Sequence, residues 1–278
     1  MLNKEYVVIS KEPKQTKQGK PFISMLLNPT DNKDLSIDAK IWSDKVEKLN
    51  PLFKTGDLIK IKDGKQETYN NNPQLIINDL EVIAAKQWGL SIEQSKDLYY
   101  CLLDFIENNI NNSQLKEITL QTLQKYFDST LLYMAPAAKS HHHNYPGGLL
   151  EHTMELCQIA QSIKSTNLYP EVSWDIVISA CILHDLGKVY DYTFANGTIE
   201  ITETLKLTGH LVTTPIEIYE TAKAMGLEHT PSFQNLLHAV IAHHGKKEWG
   251  SPQEPVTKEA WLVHLIDMIS SKISAQRF

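Results

Sequence analysis

The period of the hydrophobic pattern changes once along this chain, near residue 85, and that change divides it into two parts built on different secondary structure. Before it, apolar and polar residues alternate in the short runs EYVVIS, FISMLL, LSIDAKIW, DLIKIKDG and PQLIINDLEVI, separated by the turn-forming stretches TKQGKP, NPTDNKD and YNNNP. A period of two puts one face of each run on a core, so the segment reads as an antiparallel sheet of five strands. Beyond it, apolar residues recur at three and four, the helical period. Ser91 and Gln94 have the Ser-x-x-Gln order of a capping box, and Leu98, Leu102, Phe105 and Ile106 follow at helical spacing. Further amphipathic helices are expected at 113–127, 147–166, 172–186, 208–226, 231–244 and 257–275. Only YDYTFANGTIEIT interrupts them, where Asn196-Gly197 joins two alternating stretches, a hairpin signal just beyond a helix and placed to roof a site.

Five strands in so short a span fit a small barrel, and the helix-like WSDKVEKLN between the third and fourth runs matches the order of an OB-fold. The expected chain is therefore multidomain, with an all-β OB-fold barrel at 1–85 followed by an all-α helical bundle with a small β-hairpin insertion at 86–278. Such barrels bind single strands by stacking bases on exposed aromatics beside a lysine-bearing groove. Phe22, Trp42 and Tyr69, with Lys20 and Lys40, are the candidates; the bland alternative is that these aromatics belong to the barrel core.

Composition narrows the function. With 42% hydrophobic residues among 278, each part can bury a core. No apolar run approaches the ~20 residues of a membrane span, and MLNKEYVVISKEPK lacks a signal peptide's apolar stretch, so a soluble cytoplasmic protein is expected. Cys101, Cys157 and Cys181 form no CxxC pattern and are expected in the core. A net charge of −6 argues against coating nucleic acid through bulk charge. The acid is concentrated: residues 1–84 hold 13 Lys against 12 Asp+Glu, whereas residues 85–278 hold 13 Lys and Arg277 against 21. With a single arginine, phosphate contacts fall to lysines, histidines, backbone amides or metal.

The helical half also holds a scattered donor set. His184 and Asp185 adjoin in CILHDLGKVYD; His152 lies in GGLLEHTMEL, His210 in LTGHLV, His243 and His244 in VIAHHGK, and Asp267 in LVHLIDMIS. Each falls within an apolar helical segment, where an unpaired imidazole or carboxylate would carry a desolvation cost of several kcal/mol. Among 11 histidines some reach apolar faces by chance, and any one alone reads as a hydrogen-bonded core residue. Together they supply the N and O donors of a divalent site, suited to Mn²⁺, Fe²⁺, Mg²⁺, Zn²⁺ or Co²⁺. Asp185 is the natural bridge, completing one ion with His152, His184 and Asp267 and a second with His210 and His243. Two neighbouring ions stabilise both the attacking and the leaving oxygen of a phosphodiester, which favours P–O hydrolysis. Asp185 and Lys188 are the catalytic candidates, Lys188 facing the same site one turn on to neutralise a scissile phosphate; otherwise it is a solvated helix lysine. His142 and His143, in the loop before the His152 helix, are candidates for phosphate contact. Of His243 and His244, one takes metal and the other phosphate, in an order left open. Lys246, Lys247 and Trp249 could line a channel.

Through His152, His184, Asp185 and Asp267 the chain resembles the HD superfamily of metal-dependent phosphohydrolases. Over nearly its whole length it resembles the YhaM-type 3′→5′ exoribonucleases, which join an N-terminal OB-fold to a C-terminal HD domain. The stretches that carry this are GKPF (19–22), DAKIW (38–42), HHHNYPGGLLEHT (141–153), LHDLGK (183–188), LTGH (207–210) and HHGKKEWGSPQEPVTKEAWLVHLIDMISSK (243–272). The resemblance implies Mn²⁺-dependent removal of nucleotides from the 3′ ends of single-stranded RNA or DNA, with the barrel gripping the strand upstream. Spare helical faces, including 91–127, would suit a homo-oligomer. A small-nucleotide phosphohydrolase, a nucleic-acid-binding protein with structural metals, and a di-iron HD oxygenase remain open alternatives.

Overall fold

Alternation in the first part closes into a barrel. The computed structural model describes residues 4–32, 35–69, 72–83, 89–127, 129–139, 143–195 and 198–274. Strands β1 (Glu5–Gln15), β2 (Pro21–Pro29), β3 (Ile37–Ile41), β4 (Leu58–Tyr69) and β5 (Asn72–Ile83) form a closed barrel in the order β1-β2-β3-β5-β4. Residues two apart point inward together: Ile23, Met25 and Leu27 from β2 meet Ala39, Ile41, Ile59, Ile61, Leu75 and Ile77 in one core. Helix α1 (Ser43–Leu49) lies between β3 and β4 and adds Leu49 to that core. One expectation is corrected. The sheet is not wholly antiparallel, because β3 and β5 run parallel, pairing Ala39 with Leu75. The chain crosses over through α1, so the β4–β5 hairpin returns with β5 aligned to β3; parallel neighbours require such a crossover.

The second part is helical: α2 (Ile92–Asn109), α3 (Ser113–Gln124), α4 (Thr130–Met134), α5 (Gly148–Ser165), α6 (Trp174–Leu183), α7 (Lys188–Asp191), α8 (Glu203–Leu207), α9 (His210–Ala224), α10 (Pro231–Ile241) and α11 (Lys258–Ser274). The capping box forms, with Ser91 Oγ accepting from the Gln94 amide and Gln94 Oε1 from that of Ser91. Helix α6 is buried from Ile176 to Leu183 and packs against α3, α5, α10 and α11, so it is the axis of the bundle. Between α7 and α8, β6 (Tyr192–Ala195) and β7 (Thr198–Ile201) form the expected antiparallel hairpin; Asn196 and Gly197 lie outside the described residues. No described helix is long and apolar enough to cross a membrane.

Several helical expectations change, and the short helices α4, α7 and α8 are additions to them. Helix α4 is too short to show a period in sequence. The segments 172–186 and 231–244 end early: His184 is the C-cap of α6, and His243 and His244 lie in the turn after α10. Gly245, at φ +80, holds a left-handed backbone that ends that helical run, and a Cβ there would sit 2.3 Å from the His264 ring. Cys101 is exposed, unlike the buried Cys157 and Cys181, because Tyr99, Leu102 and Ile106 set the inner face of α2 and position 101 turns outward.

Candidate metal centre

The two helix ends use the same device. At the last turn of α6, His184 Nδ1 lies 3.0 Å from the Cys181 carbonyl; after α10, His243 Nδ1 lies 2.6 Å from the Val240 carbonyl. Both acceptors are three residues back, among the C-terminal carbonyls that helix geometry leaves without a partner. The imidazole N–H therefore sits on Nδ1, and Nε2 is the nitrogen that turns inward with its lone pair. The other two histidines are anchored alike. His210, the first residue of α9, donates from Nδ1 to Asp191 Oδ2 at 2.8 Å, and the same oxygen accepts its backbone N–H at 3.1 Å. His152, in α5, has Nδ1 3.0 Å from Ser270 Oγ, whose own hydroxyl donates to Glu155 Oε2 at 2.7 Å.

The four Nε2 atoms converge on one carboxylate. Asp185 Oδ2 lies 3.2 Å from that of His184 and 3.8 Å from that of His152; Oδ1 lies 3.4 Å from that of His210 and 3.6 Å from that of His243. Asp267 Oδ1, from α11, is 3.4 Å from His152 Nε2, and Lys188 Nζ is 2.6 Å from Asp185 Oδ2. None of the four histidines nor Asp185 exceeds 9% exposure. Yet the Nε2 atoms of His184, His210 and His243, and Asp185 Oδ1, form no hydrogen bond among the described residues. Inward lone pairs without donors, ranged about a carboxylate, fit divalent cations and fit little else. Among the described residues three donor groups each have ligand atoms within 4.8 Å of one another: His152, His184 and Asp185; His210, His243 and His244; and His143, His152 and Glu155. The first of these groups holds Asp185 with two of the donors expected beside it, and the second holds His210 and His243 with His244 added.

Electrostatics agree. Burial alone would raise the Asp185 carboxyl, but the charges of His184 and Lys188 outweigh it and hold it well below the carboxylate range. Asp267 is likewise lowered against burial by His152. Burial pulls His210 and His243 down, and pulls His244, helped by the charge of His243, to about 4, so these three present neutral nitrogens. His184 goes the other way: burial lowers it, but the charge and hydrogen bonding of Asp185 outweigh that and raise it. Lys188 is kept charged by Asp185 against its own burial.

Other expected residues are less uniformly placed. On the barrel, Phe22 and Trp42 lie 5.3 Å apart, with Lys40 Nζ 6.0 Å from the Phe22 centroid and 5.5 Å from that of Trp42. Both rings are part-exposed and outside the barrel core, and Lys20 is exposed in the adjoining turn. Tyr69 ends β4, its side chain outside the described part, and His142 lies outside the described residues. His143 is buried, 3.5 Å from Glu155 and 5.5 Å, ring to ring, from His152. Asp191, Ser270 and Glu155 were not foreseen. Asp191 was within reach, as a second aspartate in the run that holds His184. Ser270 and Glu155 look like ordinary helix-surface residues, and only the packing of α11 on α5 joins them to His152.

Fold and site together define a divalent-metal-dependent HD-domain protein, and the HD domain family model matches residues 149–272. A helicase model, TraI_2, matches residues 90–189, which contain no G-x-x-x-x-G-K-[ST] phosphate loop. A protein of Halalkalibacterium halodurans named 3′-5′ exoribonuclease YhaM is 31% identical over 98% of this chain and 84% of its own. Proteins of the same name from Bacillus pumilus and Listeria innocua are each 30% identical over 92% of this chain and 80% of their own. The chain belongs to the YhaM family.

Proposed function

We propose that this protein is a 3′→5′ exonuclease that hydrolyses single-stranded RNA, and by the same chemistry single-stranded DNA, in the cytoplasm with two Mn²⁺ ions. The observation that carries the reading is the convergence of four anchored imidazoles on Asp185; the direction and the RNA substrate come from the relatives' names. His152, His184, Asp185 and Asp267 would hold one ion, and Asp185, His210 and His243, with His244 beside them, the other. Bound there, two ions supply Lewis acidity to the attacking and leaving oxygens of a phosphodiester.

The chain does the rest. Asp185 stays ionised and shared between the two donor groups. Lys188, held charged within reach of that carboxylate, neutralises a non-bridging phosphate oxygen. The Nδ1 anchors hold the buried histidines fixed, and their low-dielectric surroundings strengthen each charge contact. Phe22 and Trp42 stack bases of the upstream strand while Lys40 and Lys20 meet its phosphates. Residues 1–85 then serve as the strand-binding domain and 86–278 as the hydrolytic one.

A time course with 5′-labelled single-stranded RNA, its DNA counterpart and Mn²⁺ tests this. A ladder shortening from the 3′ end in wild type and absent in Asp185→Ala is expected. Strands left intact by metal-loaded wild type would reject the exonuclease and favour small nucleotides as substrates.

A further inference from the structure

Three side chains from the two parts of the chain close a hydrogen-bonded ring. Asn28 Nδ2, on β2, donates to Asn144 Oδ1 at 2.6 Å; Asn144 Nδ2 donates to Ser36 Oγ at 3.0 Å; Ser36 Oγ donates to Asn28 Oδ1 at 2.9 Å. Each member donates once and accepts once around the ring. Asn28 and Asn144 are buried, at 1% and 0% exposure. Buried amides satisfied by one another tolerate little displacement, because sliding either part would strand donors and acceptors away from water.

On the helical side the ring leads to the metal centre in few steps. Asn144 follows His143, whose carbonyl accepts the Ala137 amide at 3.0 Å and whose Nε2 lies 3.5 Å from Glu155 Oε2. That carboxylate takes the Ser270 hydroxyl on which His152 Nδ1 rests. The next residue, Tyr145, is tied by its hydroxyl to Glu151 Oε2 at 2.9 Å. The loop that meets the barrel is thus braced on the helix carrying His152. A barrel needs no buried asparagine for its own core, and β2 carries one at the position that faces this loop.

We propose that Asn28, Ser36 and Asn144 form a register lock that holds the barrel at one set distance from Asp185, making Asn28 a positioning residue for strands long enough to span both. The proposal rests on the exonuclease reading. A strand held by the barrel presents its 3′ end at a high effective concentration, which falls if the barrel is free to shift. It also fixes the length at which a shortened strand loses the barrel.

The test compares wild type, Asn28→Ala and Ser36→Ala on a 5′-labelled oligoadenylate of about 20 nucleotides and on diadenylate, with Mn²⁺. Each variant should raise KM for the long strand about 5- to 10-fold with kcat held, leave diadenylate turnover within about twofold, and broaden the lengths of the final products. Equal losses on both substrates, or an unchanged KM and product length in both variants, would overturn it. Loss of folding in Asn28→Ala, seen by thermal melting, leaves Ser36→Ala to decide. Failure of wild type to shorten the long strand would instead reject the exonuclease reading.

Discussion

Asp191 Oδ2 lies 2.8 Å from His210 Nδ1 and also accepts the His210 backbone N–H, so one buried carboxylate sets both the ring and the first residue of its helix. A carboxylate accepts only, so His210 must donate from Nδ1 and keep Nε2 bare. Asp191→Asn offers an amide N–H that favours the opposite tautomer. Affinity for Mn²⁺, measured by calorimetric titration, should fall about 10- to 100-fold with the fold intact. Unchanged affinity would mean that His210 is no ligand.

Lys188 touches Asp185 but is not counted among the metal donors. In Lys188→Met, kcat on single-stranded RNA should fall about 10²- to 10³-fold while Mn²⁺ affinity changes far less. Metal loss in parallel with activity would show that Lys188 serves only to keep Asp185 ionised.

The three cysteines divide by burial. Cys101 is exposed, whereas burial pushes the Cys157 and Cys181 thiols up and away from the reactive thiolate. One thiol per native chain should react rapidly with a disulfide reagent, and all three in denaturant. Rapid reaction of two would contradict the packing of α5 on α6.

His238 gives a pH dependence apart from the metal donors. Its Nε2 accepts the Val256 amide at 3.0 Å, and burial lowers its pKa from 6.5. The unfolded chain therefore takes up this proton first as pH falls, so the stabilisation is complete above about pH 6.5 and is lost toward the folded value. The melting-temperature difference between wild type and His238→Ala should shrink between pH 7.5 and 5.5. An NMR titration midpoint of His238 above 6.5 would refute the assignment.

Local pattern was sufficient for much of this. Strand alternation, the capping box at Ser91 and the Asn196-Gly197 signal each depend on neighbours a few residues apart, and so were legible before any packing was known. So were His152, His184, Asp185, His210, His243 and Asp267, because polar groups in apolar runs stand out wherever they fold. The helix ends were not, since ending α6 at His184 requires Gly187 to approach α9: its amide donates to Thr214 Oγ1 at 2.9 Å, and a Cβ there would meet Thr213 Oγ1 at 2.4 Å.

The sequence by itself determined which side chains are candidates for the chemistry, because residue type and local period decide what must be buried and what burial costs. Only the tertiary structure decided which nitrogen of each histidine faces Asp185, that β5 closes on β3 in parallel, and that Asn28 meets Asn144. Those depend on contacts between residues as far apart as the 118 positions separating His152 from Ser270, and no local pattern encodes a partner at that distance.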